Sequence, residues 1–175
     1  MVASLMVSHW VPLPHPEKGE ALVGHESLDA TFDGKSAGWS AVHFLYADCP
    51  CSRRILDHLV ARNALTVARE HIVLIGEQDP KAQQAAAAGY HVTFVTPSEL
   101  KQRFGIESAP LLIVTDVDGI IRYGGGYTSR KQGPDIQDES LIRSAVAGRW
   151  QETLPLYGCA VSNQLKDLVD PLQLK

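Results

Sequence analysis

Cysteine is scarce in this chain: three among 175 residues, too few for a disulfide-built scaffold, and an odd count that leaves at least one thiol without an intramolecular partner. A dense basic cluster is also missing. With a net charge of −4 there is no concentrated positive surface to hold phosphate, which excludes nucleic acid as an expected partner. No run approaches the ~20 apolar residues that a membrane span requires. The fairly apolar start, Met1 to Trp10, has neither the basic opening nor the small-residue cleavage site of a signal peptide. It reads as an ordinary terminus or as the end of a longer anchor. No repeat is present, and the alanines at 85–88 form only a short run of high helix propensity. A hydrophobic content of 45% with 21% charged residues argues against disorder. The length suits one domain that can bury a core without metals or staples.

Punctuation along the chain divides it into three parts: a leader at 1–34, a domain at 35–150 and a C-terminal extension at 151–175. In the leader, Pro12, Pro14 and Pro16 stand at alternate positions, which forbids a helix and predicts an extended, solvated segment. The ordered pattern starts near Trp39. Ala41 to Tyr46 is a β-prone apolar run that reads as a buried strand and ends at Asp48-Cys49-Pro50. A helix follows, with Ile55, Leu56, Leu59 and Val60 on one face and Pro50 suited to its first position. His71 to Ile75 predicts the next strand, Asp79-Pro80 opens a helix that Gly89 stops, and Val92 to Val95 predicts a third strand. Thr96-Pro97-Ser98-Glu99 has the form of a capped helix start, and that helix is expected to end at Phe104-Gly105. Leu111 to Val114, a turn at Asp118-Gly119 and Ile120 to Tyr123 predict a hairpin whose second strand is broken at Gly124 to Gly126. Asp138 to Ala147 closes the domain as a helix. Strands joined by helices imply parallel pairing, and the hairpin adds antiparallel strands, so the expected class is α/β: a mixed sheet flanked by helices.

Three features together carry a family likeness. An apolar strand ends in a cysteine motif at a helix start (Val42-His43-Phe44 through Cys49). A proline stands directly before the next-to-last strand (Ala109-Pro110-Leu111). A glycine turn, Asp118-Gly119, closes the last hairpin. On these residues the chain resembles the thioredoxin superfamily over 35–150, and within it the membrane-tethered thiol-disulfide proteins of bacterial envelopes more than the small cytosolic thioredoxins. The resemblance implies a thioredoxin-like sheet, a cis peptide at Pro110 facing the cysteines, redox activity, and a periplasmic or membrane-anchored location with the domain outside the cytoplasm.

The chemistry follows from the position of Cys49. A thiolate, not a thiol, attacks a disulfide, and a helix N-terminus aims backbone N–H groups and the positive dipole end at the sulfur. Arg53 and Arg54 add positive charge, whereas Asp48 opposes it. The motif departs from the family pattern, since only Pro50 separates Cys49 from Cys51 and Ser52 stands where the second cysteine is usual. Two readings stay open: a Cys-x-x-Ser site without the usual resolving thiol, or a working Cys-x-Cys pair closing a tight, readily reduced ring. His43 stands where the family buries a carboxylate. It either moves a proton during exchange or is a core histidine satisfied by a neighbour. Cys159 is a resolving thiol, a third ligand to a soft metal, or a small buried side chain.

The catalytic candidates are therefore Cys49, Cys51, Pro110, His43 and Cys159. The leading reading is a thiol-disulfide oxidoreductase with no cofactor, acting on a protein thiol or disulfide partner. Such a partner would pair as an extended segment at Ala109-Pro110 and Gly124 to Gly126. The alternatives are a soft-metal or iron–sulfur protein with Cys49, Cys51 and Cys159 as ligands, or a redox-inert binding module on the same scaffold.

Overall fold

Seven consecutive residues with no exposed position place strand β1 (Ser40–Tyr46) at the centre of the molecule, covered on both faces. A computed structural model describes residues 12–29, 38–76, 79–131 and 133–169. Its elements run α1 (His25–Asp29), β1, α2 (Pro50–Arg62), β2 (Arg69–Ile75), α3 (Lys81–Ala87), β3 (His91–Val95), α4 (Pro97–Phe104), β4 (Ser108–Ala109), β5 (Leu111–Thr115), β6 (Ile121–Gly125), α5 (Asp138–Val146), β7 (Cys159–Ala160) and α6 (Asn163–Val169). Five strands form one sheet in the order β3-β2-β1-β5-β6, and β4 with β7 forms a separate two-stranded ribbon. The pairs β1–β2 and β2–β3 are parallel, while β1–β5 and β5–β6 are antiparallel. The predicted mixed sheet flanked by helices is what the chain forms.

Alternation along β1 sorts the core into two layers. Val42, Phe44 and Tyr46 pack with Leu100 and Phe104 of α4 and with Cys49. Ala41 and Leu45 pack on the other side with Ile55, Leu56 and Leu59 of α2 and Leu141 and Ile142 of α5. The predicted start of α4 is realised as a full capping box: the Thr96 hydroxyl accepts from the Glu99 amide while the Glu99 carboxylate accepts from the Thr96 amide. Gly105, at φ 66°, ends that helix in the left-handed conformation.

Three sequence expectations need correction. First, the leader is neither extended nor solvated throughout: it carries the short helix α1. Leu13, Leu22 and Leu28 are buried, the Leu13 amide donates to the Leu156 carbonyl at 3.0 Å, and Ala21 bridges to Ile120. Leucines interleaved with the prolines find the apolar edge of the sheet, so burial outweighs solvation of that backbone. The apolar start, Met1 to Trp10, lies outside the described residues, as do 30–37 and 170–175. Second, Gly124 and Gly125 do not break their strand, which runs through both. Third, the spacing of Val161, Leu165, Leu168 and Val169 predicts one apolar helix in the extension, but Val161 is buried ahead of α6 and Leu168 is 77% exposed.

Candidate functional site

Cys49 caps α2 with extended backbone (φ −95°, ψ 117°), Pro50 occupies the first turn, and the Cys49 carbonyl accepts the Arg53 amide at 3.0 Å. The side chain therefore points away from the helix, into the layer beneath β1, where it is fully buried. Its sulfur lies 4.0 Å from the Ala109 carbonyl oxygen, immediately before Pro110, and the Ala109–Pro110 peptide is cis. The strand that ends in the cysteine motif and the proline that precedes β5 thus meet at one point.

The third cysteine arrives there through the ribbon. β7 pairs antiparallel with β4 so that Cys159 is opposite Ala109, and the Val161 amide donates to the Glu107 carbonyl at 2.7 Å. Three glycines make room for the segment that brings it. A Cβ on Gly158 would stand 2.0 Å from the Ala109 oxygen, one on Gly126 2.1 Å from the Pro155 oxygen, and one on Gly125 2.7 Å from the Leu154 oxygen. The Gly126 amide donates to the Leu154 carbonyl at 2.9 Å. This is why the glycines of β6 stay in the strand: they serve close backbone approach. The face expected to receive an extended partner, at Ala109-Pro110 and Gly124 to Gly126, is occupied by the chain's own residues 154–160.

All three cysteines are free thiols, with Cys51 and Cys159 half-buried. Hydrogen bonds from Cys159 first, then from Cys51, hold the Cys49 thiol far below its ordinary range. They outweigh burial, and the Ser52 amide and hydroxyl add to them. Cys51 moves the opposite way, raised first by its hydrogen bond to Cys49 and then by burial, with Lys131 and Arg54 pulling it back. Cys49 is the thiolate of the set and the other two are its donors. Asp48, expected to oppose that thiolate, is instead hydrogen-bonded to Tyr46, whose hydroxyl is raised by burial and by that bond. Of the two arginines, Arg53 is exposed, and Arg54 donates to the Gly133 carbonyl while its charge acts to lower Cys51.

His43 sits on the other face of β1. One ring nitrogen is 2.9 Å from the Tyr127 hydroxyl and the other 2.9 Å from Glu70, so both are taken by neighbours. Behind it runs a buried charge network. Arg62 bonds Glu70 at 2.5 Å and Asp138 at 2.7 Å, Asp138 meets His58 at 2.9 Å, and the Leu65 amide donates to Glu70 at 2.6 Å. Burial works to raise the Glu70 carboxyl, but the bonds from His43 and Arg62 prevail and hold it down at about 2. Sequence reasoning missed Tyr127, Glu70, Arg62 and Asp138. The only local signal was a charged residue beside a buried strand run.

Beside the thiols, a cavity of about 460 Å³ opens between α2 and the loop after β6, lined by Cys51, Arg54, Pro110, Tyr127 and Tyr157 among others. Among the described residues, no group of three or more His, Cys, Asp or Glu side chains has the arrangement of a metal site, the three cysteines included. No helix among the described residues is long and apolar enough to cross a membrane.

No protein-family model matches the chain, and no curated protein matches it. Solved structures do. A hypothetical protein from Sinorhizobium meliloti 1021 is similar at 16% identity with a TM-score of 0.55, over 85% of this chain and 94% of that one. An uncharacterised conserved protein from Geobacillus kaustophilus is similar at 15% identity with a TM-score of 0.51, over 87% and 97%. A thioredoxin-like protein in its oxidised form aligns at 16% identity with a TM-score of 0.49, over 80% and 97%. At such identities the likeness is one of fold.

Proposed function

This chain has a thioredoxin-like fold, and we propose that it is a thiol-disulfide oxidoreductase in which Cys49 and Cys159 form the redox couple. The observation that carries the reading is the register of the ribbon, which sets Cys159 opposite Ala109 and so against the Cys49 sulfur. A buried thiolate with a second thiol donating to it is one proton and two electrons away from a disulfide. When a partner disulfide accepts those electrons, its S–S bond breaks, one partner thiol and one partner thiolate leave, and the Cys49–Cys159 bond forms. Ser52 supplies donors to the Cys49 sulfur, and Pro110 forms part of the wall between the thiols and the cavity. A location outside the cytoplasm, tethered to the bacterial envelope, is the setting the family likeness favours, and there a structural reductant pool does not keep such a pair reduced.

The test is peptide mapping of the full chain after equilibration with a disulfide oxidant, for the natural sequence and for Cys159→Ala. The expected result is the loss of two thiols with a Cys49–Cys159 bridge, absent from the variant. Three thiols persisting at equilibrium, or a bound metal shielding all three, would overturn the reading.

A further inference from the structure

The chain closes on itself the edge at which an extended partner segment would pair. β7 occupies β4, residues 154–156 lie along Gly125 and Gly126, and Gly158 leaves no room between itself and Ala109-Pro110. Cys49 is fully buried beneath this segment. A substrate sulfur therefore has to come by another way, and the cavity of about 460 Å³ provides it, because Cys51 lines it as a half-buried thiol. That volume falls in the range of small-molecule pockets and is too small for a folded edge or a paired strand.

The walls say what kind of molecule fits. Pro50, Ile55, Pro110, Pro134 and Pro155 give an apolar floor, Thr128 and Tyr157 bring polar side chains, and Tyr127 lines it while its hydroxyl is held by His43. Among the described residues, Arg54 is the one charged residue of the lining, one turn along α2 from Cys51. Its guanidinium donates to the Gly133 carbonyl at 2.5 Å through a single nitrogen, so the rest of its donor fork stays open to a carboxylate. Lys131, on the same loop, adds positive charge at the Cys51 sulfur, and among the described residues no carboxylate lines the cavity.

We infer that the substrate is a small disulfide bearing a carboxylate close to its sulfur, bound in this cavity with its anion on Arg54 and its sulfur at Cys51. The inference rests on the exchange chemistry proposed above and names its substrate class. In the first step Cys51 passes its proton to the Cys49 thiolate to which it is hydrogen-bonded, and the Cys51 sulfur attacks the substrate disulfide, whose departing thiolate takes that proton from Cys49. That S–S bond breaks, one small thiol leaves and a mixed disulfide on Cys51 forms. Cys49 then attacks the Cys51 sulfur and expels the second small thiolate. Cys159 attacks Cys49 in turn, which regenerates the Cys51 thiol and leaves the Cys49–Cys159 bond. The substrate is reduced by two electrons and the protein oxidised by two.

The experiment compares three small disulfides on the reduced full chain: dithiodipropionate (anionic), hydroxyethyl disulfide (neutral) and cystamine (cationic). Each rate of thiol loss is divided by the rate with a small reference thiol, and Cys49→Ser is used to trap and map the first adduct. The anionic probe is expected to lead the cationic one by roughly tenfold or more, a lead that shrinks as salt rises. The trapped adduct is expected on Cys51. Arg54→Gln is expected to collapse the ratio of anionic to neutral rates, with the neutral probe reporting any change at Cys51 itself, and the salt series gives the same information if that variant does not fold. Equal normalised rates, a cationic lead, or insulin oxidising the chain faster than all three probes would overturn the substrate class while a Cys49–Cys159 bridge still formed. Failure of every disulfide to form that bridge would instead overturn the exchange chemistry beneath it.

Discussion

Cys49 stands at the cap of a helix, and its thiolate draws on donors both from that helix and from the C-terminal extension. Cys159 comes first among its donors, Cys51 second, and Ser52 contributes through both amide and hydroxyl. Replacing Cys159 by Ala removes the leading donor and keeps the site small. The thiolate absorbance of Cys49 is then expected to titrate at clearly higher pH than in the natural chain. Ser52→Ala is expected to move the same titration less, because the Ser52 amide remains. A larger shift for Ser52→Ala would show that the helix start, not the C-terminal segment, sets the reactivity of this thiol. His43 stands apart from this set, with its ring nitrogens on Tyr127 and Glu70 across the strand. Its spacing from the motif was readable in the sequence, but its partners were not, since they lie 84 and 27 residues away.

At the scale of elements, the C-terminal extension is held by backbone pairing as well as by its buried Leu156, Val161 and Leu165 and the Ser162–Glu107 hydrogen bond. Two residue pairs join β7 to β4, and flanking amides tie the segment to Glu107 and to Gly126. Such a ribbon tolerates little intrusion. Gly158→Val places a branched side chain where even a Cβ would stand 2.0 Å from the Ala109 oxygen. Backbone has to shift, at about 1–3 kcal/mol for an overpacked site. The expected outcome is faster hydrogen exchange at the Val161 and Gly126 amides together with a reduced yield of the Cys49–Cys159 bridge. Unchanged exchange would mean that the segment is not anchored as described. The elements of the main sheet were legible because their signals are local: apolar runs for β1 and β2, a capping box for α4, Asp118-Gly119 for the hairpin. The two-residue strands β4 and β7 have no such signal, as each exists only through the other.

For the whole molecule, the Glu70–Arg62–Asp138 network clamps β2 to α2 and α5 across the layer that holds His43. The Glu70 carboxyl titrates at about 2 in the folded chain against 4.5 ordinarily, so the folded state binds fewer protons in between. The stability it confers is therefore complete above about pH 4.5 and is lost as pH falls toward about 2. Glu70→Gln preserves the shape but leaves Arg62 short of a charge partner. It is expected to cost about 3–5 kcal/mol at neutral pH in denaturant unfolding. That deficit should shrink through the same acid window, since the natural chain loses the charge there too. A pH-independent deficit would mean that packing, not the ion pair, holds these elements together.

By itself, the sequence determined the layers, the strand directions and the placing of a reactive cysteine at a helix start. Those follow from residue periodicity, capping chemistry and turn residues acting over a few positions. Tertiary structure alone decided which thiol meets Cys49, that the expected docking edge is closed by the chain's own extension, and that Gly125, Gly126 and Gly158 make room for it. It also decided where Glu70, Arg62 and Asp138 converge. Contacts between residues so far apart along the chain depend on how packed layers bring them together, and no local pattern encodes that distance.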